Sequence, residues 1–387
     1  MQDVMGQVRL QILRREAACH IADKTDTMGT VVLFCRQKLD AIDLRCGLLR
    51  ERIFDPRERS GQAGCEVDGM TMTGAVVECV PNFSEGKDAR RVEAIVAAMR
   101  VEGVSLLDWS MDADHNRSIV TVAGEASAVV ESAIRGVGKA TELIDLTRQQ
   151  GEHPRIGAAD VIPFVPVSGI KLEQCALLAR QAGLEIWRRF GVPVFFYEAA
   201  AARPDRANLE EVRRGQFEGL RDAVRNETAR RPDLGGPGLH PTAGACAVGA
   251  RKFLVAYNIY FDSADVSVVR AIAREIRGAS SGLKGVQALG ILAHGRAQLS
   301  MNLTDFQATP VSQVYRAVSV LALRHKVAPV EGEVIGLIPE AACERDSEWM
   351  RQLIGFDAQT KILERRLAAP LAWPGEVEPM KQGLGIG

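Results

Sequence analysis

A chain of 387 residues, 47% hydrophobic and 25% charged, has a globular composition and is long enough for two subdomains. Its formal net charge of -1 supplies no basic surface for nucleic acid or anionic lipid, and no apolar run approaches the ~20 residues that cross a bilayer. Eight cysteines without a C-x-x-C pair suggest neither a zinc site nor a disulfide framework, so a reduced, cytoplasmic protein without metal is expected.

Residues 1–74 hold four of the eight cysteines, mixed charges and short apolar pieces without a sustained period. Only "VRLQILRREAACHI" has helical spacing, and Asp3, Glu16, Asp23 and Asp26 argue against a mitochondrial presequence. A poorly structured extension without function is expected there, with Met70 and Met72 just before the ordered part. "AVVECV" (75–80) reads as a buried strand, "RRVEAIVAAMR" (90–100) as an amphipathic helix, and "VSLLDW" (104–109) and "SIVTVAG" (118–124) as two strands. From 125 to about 147, Val130, Ile134, Val137, Thr141 and Ile144 share one helical face. "ADVIPFVPV" (159–167) reads as a strand whose two prolines assign it to a sheet edge or give it an irregular end. A helix over 172–190 and a strand "VPVFFYEAA" (192–200) complete a ferredoxin-like β-α-β-β-α-β order.

The second half repeats that order, with a strand at 252–261, a helix at 264–277 and a strand pair in "VQALGILAHG" and "AQLSMNLTDF". A helix at 311–326, a strand at 331–339 and a helix to about 353 follow. The expected fold is α+β: two ferredoxin-like βαββαβ subdomains, 75–251 and 252–366, with a ligand cleft between their sheets and a mobile Pro/Gly-rich tail at 367–387.

Four stretches have residues suited to chemistry. In "VPNFSEG" (80–86), Asn82 or Ser84 can cap the following helix. "DADHNRS" (112–118) contributes Asn116 and Arg117 from a polar hairpin. In "GEHPRIGAAD" (151–160), Pro154 keeps His153 out of the α region, so its imidazole projects from an ordered loop. Histidine suits proton transfer near neutral pH; Glu152 and Asp160 are placed to orient it, and Arg155 to hold a carboxylate bidentately. "DLGGPGLHPTAGACAVGARKF" (233–253) reads as a long loop whose Gly235, Gly236, Gly238 and Gly244 permit positive φ and close approach to a flat or anionic ligand. For each stretch a purely structural role is the competing reading.

"VVECVPNFSEG" (76–86), "LID" with "GEHPRIGAADVIPFVPV" (143–167), "GVPVFFYEAA" (191–200), "VRRGQFEGL" (212–220) and "VGARKFLVAYNI" (248–259) together resemble the glutamate formimidoyltransferase family, in order from about 75 to 357. The resemblance implies a two-subdomain formiminotransferase unit with tetrahydrofolate, as co-substrate, in a tunnel between the halves. It implies transfer of the formimino group of N-formimino-L-glutamate to N5 of tetrahydrofolate in histidine degradation and one-carbon metabolism, by a homodimer needing no metal. The family's catalytic histidine lands on His153, and its folate segment on Gly235, Gly236, Pro237, Gly238, Leu239, His240, Pro241, Thr242, Ala243 and Gly244. Asn82, Asn116, Arg117, Arg155 and Asp160 are the candidate substrate contacts. Two departures stand out: the extension has no counterpart in the pattern, and the chain is too short for the cyclodeaminase domain of the bifunctional animal form. "GLHPTAG" also differs from the animal version. The alternatives are ATP-dependent cyclisation of 5-formyltetrahydrofolate and folate binding without turnover.

Overall fold

The computed structural model describes residues 66–67, 70–71 and 74–375, apart from residues 114, 152, 278–281 and 345. The expectation for residues 1–74 therefore lies almost wholly outside the described residues. Of that segment, β1 (Glu66–Val67) pairs antiparallel with β2 (Met70–Thr71).

Alternation sets the first sheet. In β3 (Val76–Cys79), Val77 and Cys79 enter the core under the helices, so Glu78 points to the opposite face. β4 (Asn82–Phe83) continues β3 in the same lane, and both pair with β6 (Arg117–Glu125) and β7 (Ala159–Ser168). β5 (Val104–Asp112) lies outside β6, while β8 (Val194–Glu198) and β9 (Cys246–Ala250) extend the sheet beyond β7 in parallel. The order β5-β6-β3/β4-β7 is the ferredoxin-like one, and β9-β8 is an addition.

α1 (Ala89–Ala98), α2 (Ala126–Leu143) and α3 (Leu172–Phe190) cover one face. α1 is capped by Asp88, whose carboxylate accepts from the amides of Arg90 and Arg91, and not by Asn82 or Ser84. α2 stops at Leu143, short of 147, because Asp145 accepts from the Thr147 amide at 3.0 Å and hydroxyl at 2.6 Å, a local turn that competes with the helix.

β7 is not an edge strand. Its register places Pro163 opposite Val80, and the Val80 amide donates to Pro163 O at 3.3 Å. The return bond, which proline cannot donate, is replaced by Asn82 Nδ2 donating to Val80 O at 2.8 Å. A central strand thus tolerates its proline because the β3–β4 lane breaks beside it.

The 233–253 stretch is not all loop either. β9 lies within it, fully buried between β7 and β8. The apolar residues of "ACAVGA" are too few for a periodic signal, and only the parallel pairing makes them a strand. α4 (Leu209–Arg213) and α5 (Gln216–Asn226), between β8 and β9, also went unanticipated.

The second half has the strand order β11-β12-β10-β13, all antiparallel: β10 (Val255–Phe261), β11 (Val286–Ala293), β12 (Arg296–Leu303) and β13 (Pro329–Ile335). α6 (Val266–Ile276) and α7 (Val311–Arg324) cover it. α6 buries Val269, Ile272, Ala273 and Ile276, with about 1.5–3 kcal/mol for each larger side chain removed from water. Past β13 the expected helix to 353 is replaced by two short turns, Glu340–Ala342 and Glu348–Arg351. Leu107 and Ala123 of the first sheet pack with Leu337 and Leu363, which joins the halves. The tail is docked as far as it is described: the Leu371 amide donates to Leu106 O at 2.8 Å, and Trp373 is 8% exposed. No described helix is long and apolar enough to cross a membrane.

Candidate active site

Three neighbouring strands deliver Asn82, Arg117 and Asp160 to one place, through the pairs Asn82–Ile119 and Asn82–Val161. Arg117 donates from Nη1 to Asp160 Oδ2 at 2.9 Å, and from Nε and Nη2 to Asn82 Oδ1 at 3.0 and 2.7 Å. Arg213, the last residue of α4, donates from Nη2 to the same Asp160 oxygen at 2.6 Å. The Ile156 amide donates to Oδ1 at 2.8 Å. Burial pushes the Asp160 pKa up, but Arg213, Arg117 and the Ile156 amide outweigh it and hold the carboxyl below the usual range.

His153 stands beside this cluster on the loop leading to β7. Its Nδ1 lies 2.8 Å from Pro154 O, and a carbonyl only accepts, so Nδ1 carries the proton and Nε2 the lone pair. Burial, then the positive charges of Arg117 and Arg213, lower its pKa to about 4, against the opposing pull of Pro154 O and Asp160. The imidazole is therefore neutral at pH 7. The His115 ring lies 6.4 Å away, edge-on.

Two expectations change here. Asp160 does not hydrogen-bond His153, because its oxygens are taken by Arg117, Arg213 and Ile156; Pro154 O orients the ring instead. Glu152 lies outside the described residues. Arg155 does hold a carboxylate bidentately, but that of Glu218: Nη2 donates to Oε1 at 2.9 Å and Nη1 to Oε2 at 3.3 Å, while Nη2 also donates to Gln149 O at 2.8 Å and Nε to the Gln149 side chain. It ties the His153 loop to α5. Asn116 clamps the same loop, accepting from the Gly86 amide at 2.9 Å and donating to Gln150 O at 2.8 Å.

The glycine-rich segment meets the His153 loop. The Leu146 amide donates to Thr242 O and the Ala158 amide to Ala243 O, each at 2.9 Å, and Gly157 bridges Gly244. His240 closes the turn: its Nδ1 accepts from the Ala243 amide at 3.0 Å, and burial lowers its pKa. Gly235, Gly236 and Gly244 have positive φ but Gly238 does not. The close approaches are internal: added Cβ atoms would lie 2.7 Å from the Trp187 ring at Gly235, 3.1 Å from Pro232 at Gly236 and 2.2 Å from Ile156 O at Gly244. Gly244→Val should therefore destabilise the fold outright, by at least ~2 kcal/mol from the left-handed backbone and the backbone clash together. A denaturation midpoint equal to wild type would show that the loop relaxes freely.

Arg213, Glu218 and Gln149 were missed. Arg213 and Asp160 are 53 positions apart. "VRRGQFEGL" carried no hint that one of its arginines would turn inward.

A buried guanidinium pair beside a neutral, oriented imidazole on a two-layer α+β scaffold is an arrangement chemically suited to acid–base group transfer. The family model for the formiminotransferase domain, N-terminal subdomain, matches residues 76–251, and that for the formiminotransferase domain matches 256–362. The chain is 42% identical over 295 residues to the glutamate formimidoyltransferase of Streptococcus pyogenes serotype M1, covering 76% of this chain and 98% of that one. For the Thermoplasma acidophilum enzyme of the same name the figures are 43% over 298 residues, 76% and 97%. With the formimidoyltransferase-cyclodeaminase of Gallus gallus it shares 40% over 276 residues, covering 69% of this chain and 51% of that one. The chain belongs to the formiminotransferase family and is a transferase.

Proposed function

We propose that the chain transfers the formimino group of N-formimino-L-glutamate to N5 of tetrahydrofolate, with His153 as acid–base and the 235–244 segment facing the folate. The observation that carries this reading is the His153 loop bonded along the 240–244 turn, with a lone pair on Nε2. Attack of N5 on the carbon of the protonated formimino group forms a C–N bond, moves the C=N π pair onto the imino nitrogen, now a neutral amine, and leaves N5 cationic, hence acidic enough for a weak base. Nε2 takes the N5 proton and returns it to the glutamate nitrogen, whose bond to the carbon then breaks as the amine lone pair re-forms C=N. An imidazolium with a pKa of about 4 is a strong donor for that second step. Holding both substrates in register supplies much of the remaining rate.

Incubating the protein with tetrahydrofolate and formiminoglutamate tests the reading. Release of glutamate without ATP is expected; turnover only of 5-formyltetrahydrofolate with ATP, or binding alone, overturns it. The pH profile is a second check. The base form is the active one and its pKa is lowered, so kcat/KM should stay level as pH falls from 7 to 5. An acidic limb at 6.5 would mean that neither burial nor the charges of Arg117 and Arg213 act on the ring.

A further inference from the structure

The charges around Asp160 do not balance. Arg117 and Arg213 both donate to its Oδ2, and no second carboxylate pairs with either guanidinium among the described residues. Among the described residues the group keeps one positive charge, in a setting where Asp160 is fully buried and the arginine side chains are 10% and 14% exposed. Arg117 spends its Nε and Nη2 on Asn82. Arg213 makes no such second contact among the described residues: its Nε is buried without a partner there. An uncompensated buried guanidinium is costly, and the group that satisfies it best is a carboxylate or phosphate.

We propose that Arg213 binds the α-carboxylate of the formimino donor. This rests on the formimidoyl-transfer reading above. Arg213 meets Arg117 on the same Asp160 oxygen, and its charge acts on the His153 ring, so an anion it takes lies on the His153 side of the site. In formiminoglutamate the α-carboxylate is separated from the reacting carbon only by the nitrogen and Cα. The carboxylates of the folate tail are a whole benzoyl group away from N5. Arg213 reaches the site from the excursion between β8 and β9, so this contact would connect donor recognition to α4.

The test compares two donors, N-formimino-L-glutamate and its α-amide, with wild type, Arg213→Met and Arg213→Lys. Wild type should prefer the carboxylate by about 10- to 100-fold in kcat/KM, the range for a hydrogen bond to a charged group. Arg213→Met should lose that preference through a raised donor KM, keep the KM for tetrahydrofolate, and be partly rescued in Arg213→Lys. The same loss should persist with tetrahydropteroate, which has no glutamate tail, as acceptor; disappearance of the loss there would reassign Arg213 to the folate tail. Retained discrimination in Arg213→Met overturns the proposal. So does equal use of both donors by wild type, a measurement that stands even if the variant fails to fold. Wild type inactive on formiminoglutamate defeats the parent reading instead.

Discussion

Replacing His153 by alanine should lower turnover by about 10²–10⁴, the usual worth of a positioned acid–base, while the fold and tetrahydrofolate binding persist. The expected separation of effects follows from the ring's surroundings. His153 is half-buried, and its ring bonds, among the described residues, to the carbonyl of the next residue, so removing the ring disconnects none of the described elements from another. The loop stays fastened by Arg155 to Glu218 and by Asn116 to the Gly86 amide and Gln150. Single-turnover measurements, with folate binding followed calorimetrically, separate the two quantities. Wild-type turnover in the variant would remove His153 from the chemistry.

Asp160→Ala should be the most destabilising single change at the site, by about 3–5 kcal/mol, because removing one partner leaves buried charge uncompensated. Here two guanidiniums lose their shared acceptor and the buried Ile156 amide loses its own. The same pairing has a pH consequence. The folded-state pKa of Asp160 is below its unfolded value, so its stabilisation is present above the unfolded pKa, about 3.9, and is lost as pH falls through the folded one. Urea titrations of wild type and variant at pH 7 measure the first effect, and a series continued downward from pH 4 through the folded-state pKa measures the second. A difference under 1 kcal/mol at pH 7 would mean that water enters and solvates the arginines.

The origin of these two effects explains why one residue was recognisable from the sequence and its surroundings were not. His153 is marked locally, by Pro154 after it and by the change from helix-period to strand-period residues on either side. The ferredoxin-like order was legible for the same reason: Val269, Ile272 and Ile276 at helical spacing, or Val77 and Cys79 at strand spacing, must each bury one face whatever their partners are. Likewise the five stretches from 76–86 to 248–259, taken together and in order, were enough to suggest the family.

What the sequence by itself determined, then, is the ferredoxin-like elements of each half and their order, though not β9, α4, α5 or the short turns after β13. The tertiary structure decided which charges surround His153. β7 became central because Asn82 supplies the bond that Pro163 cannot; β9 became a strand because β7 and β8 flank it; and Arg213 became part of the site because α4 returns over Asp160. It also paired Arg155 with Glu218 and set Gly244 against the backbone of Ile156. Local periodicity reports only which face of an element is buried. The pairing of groups far apart in sequence, and the field they impose on His153, arises only when the strands are laid side by side.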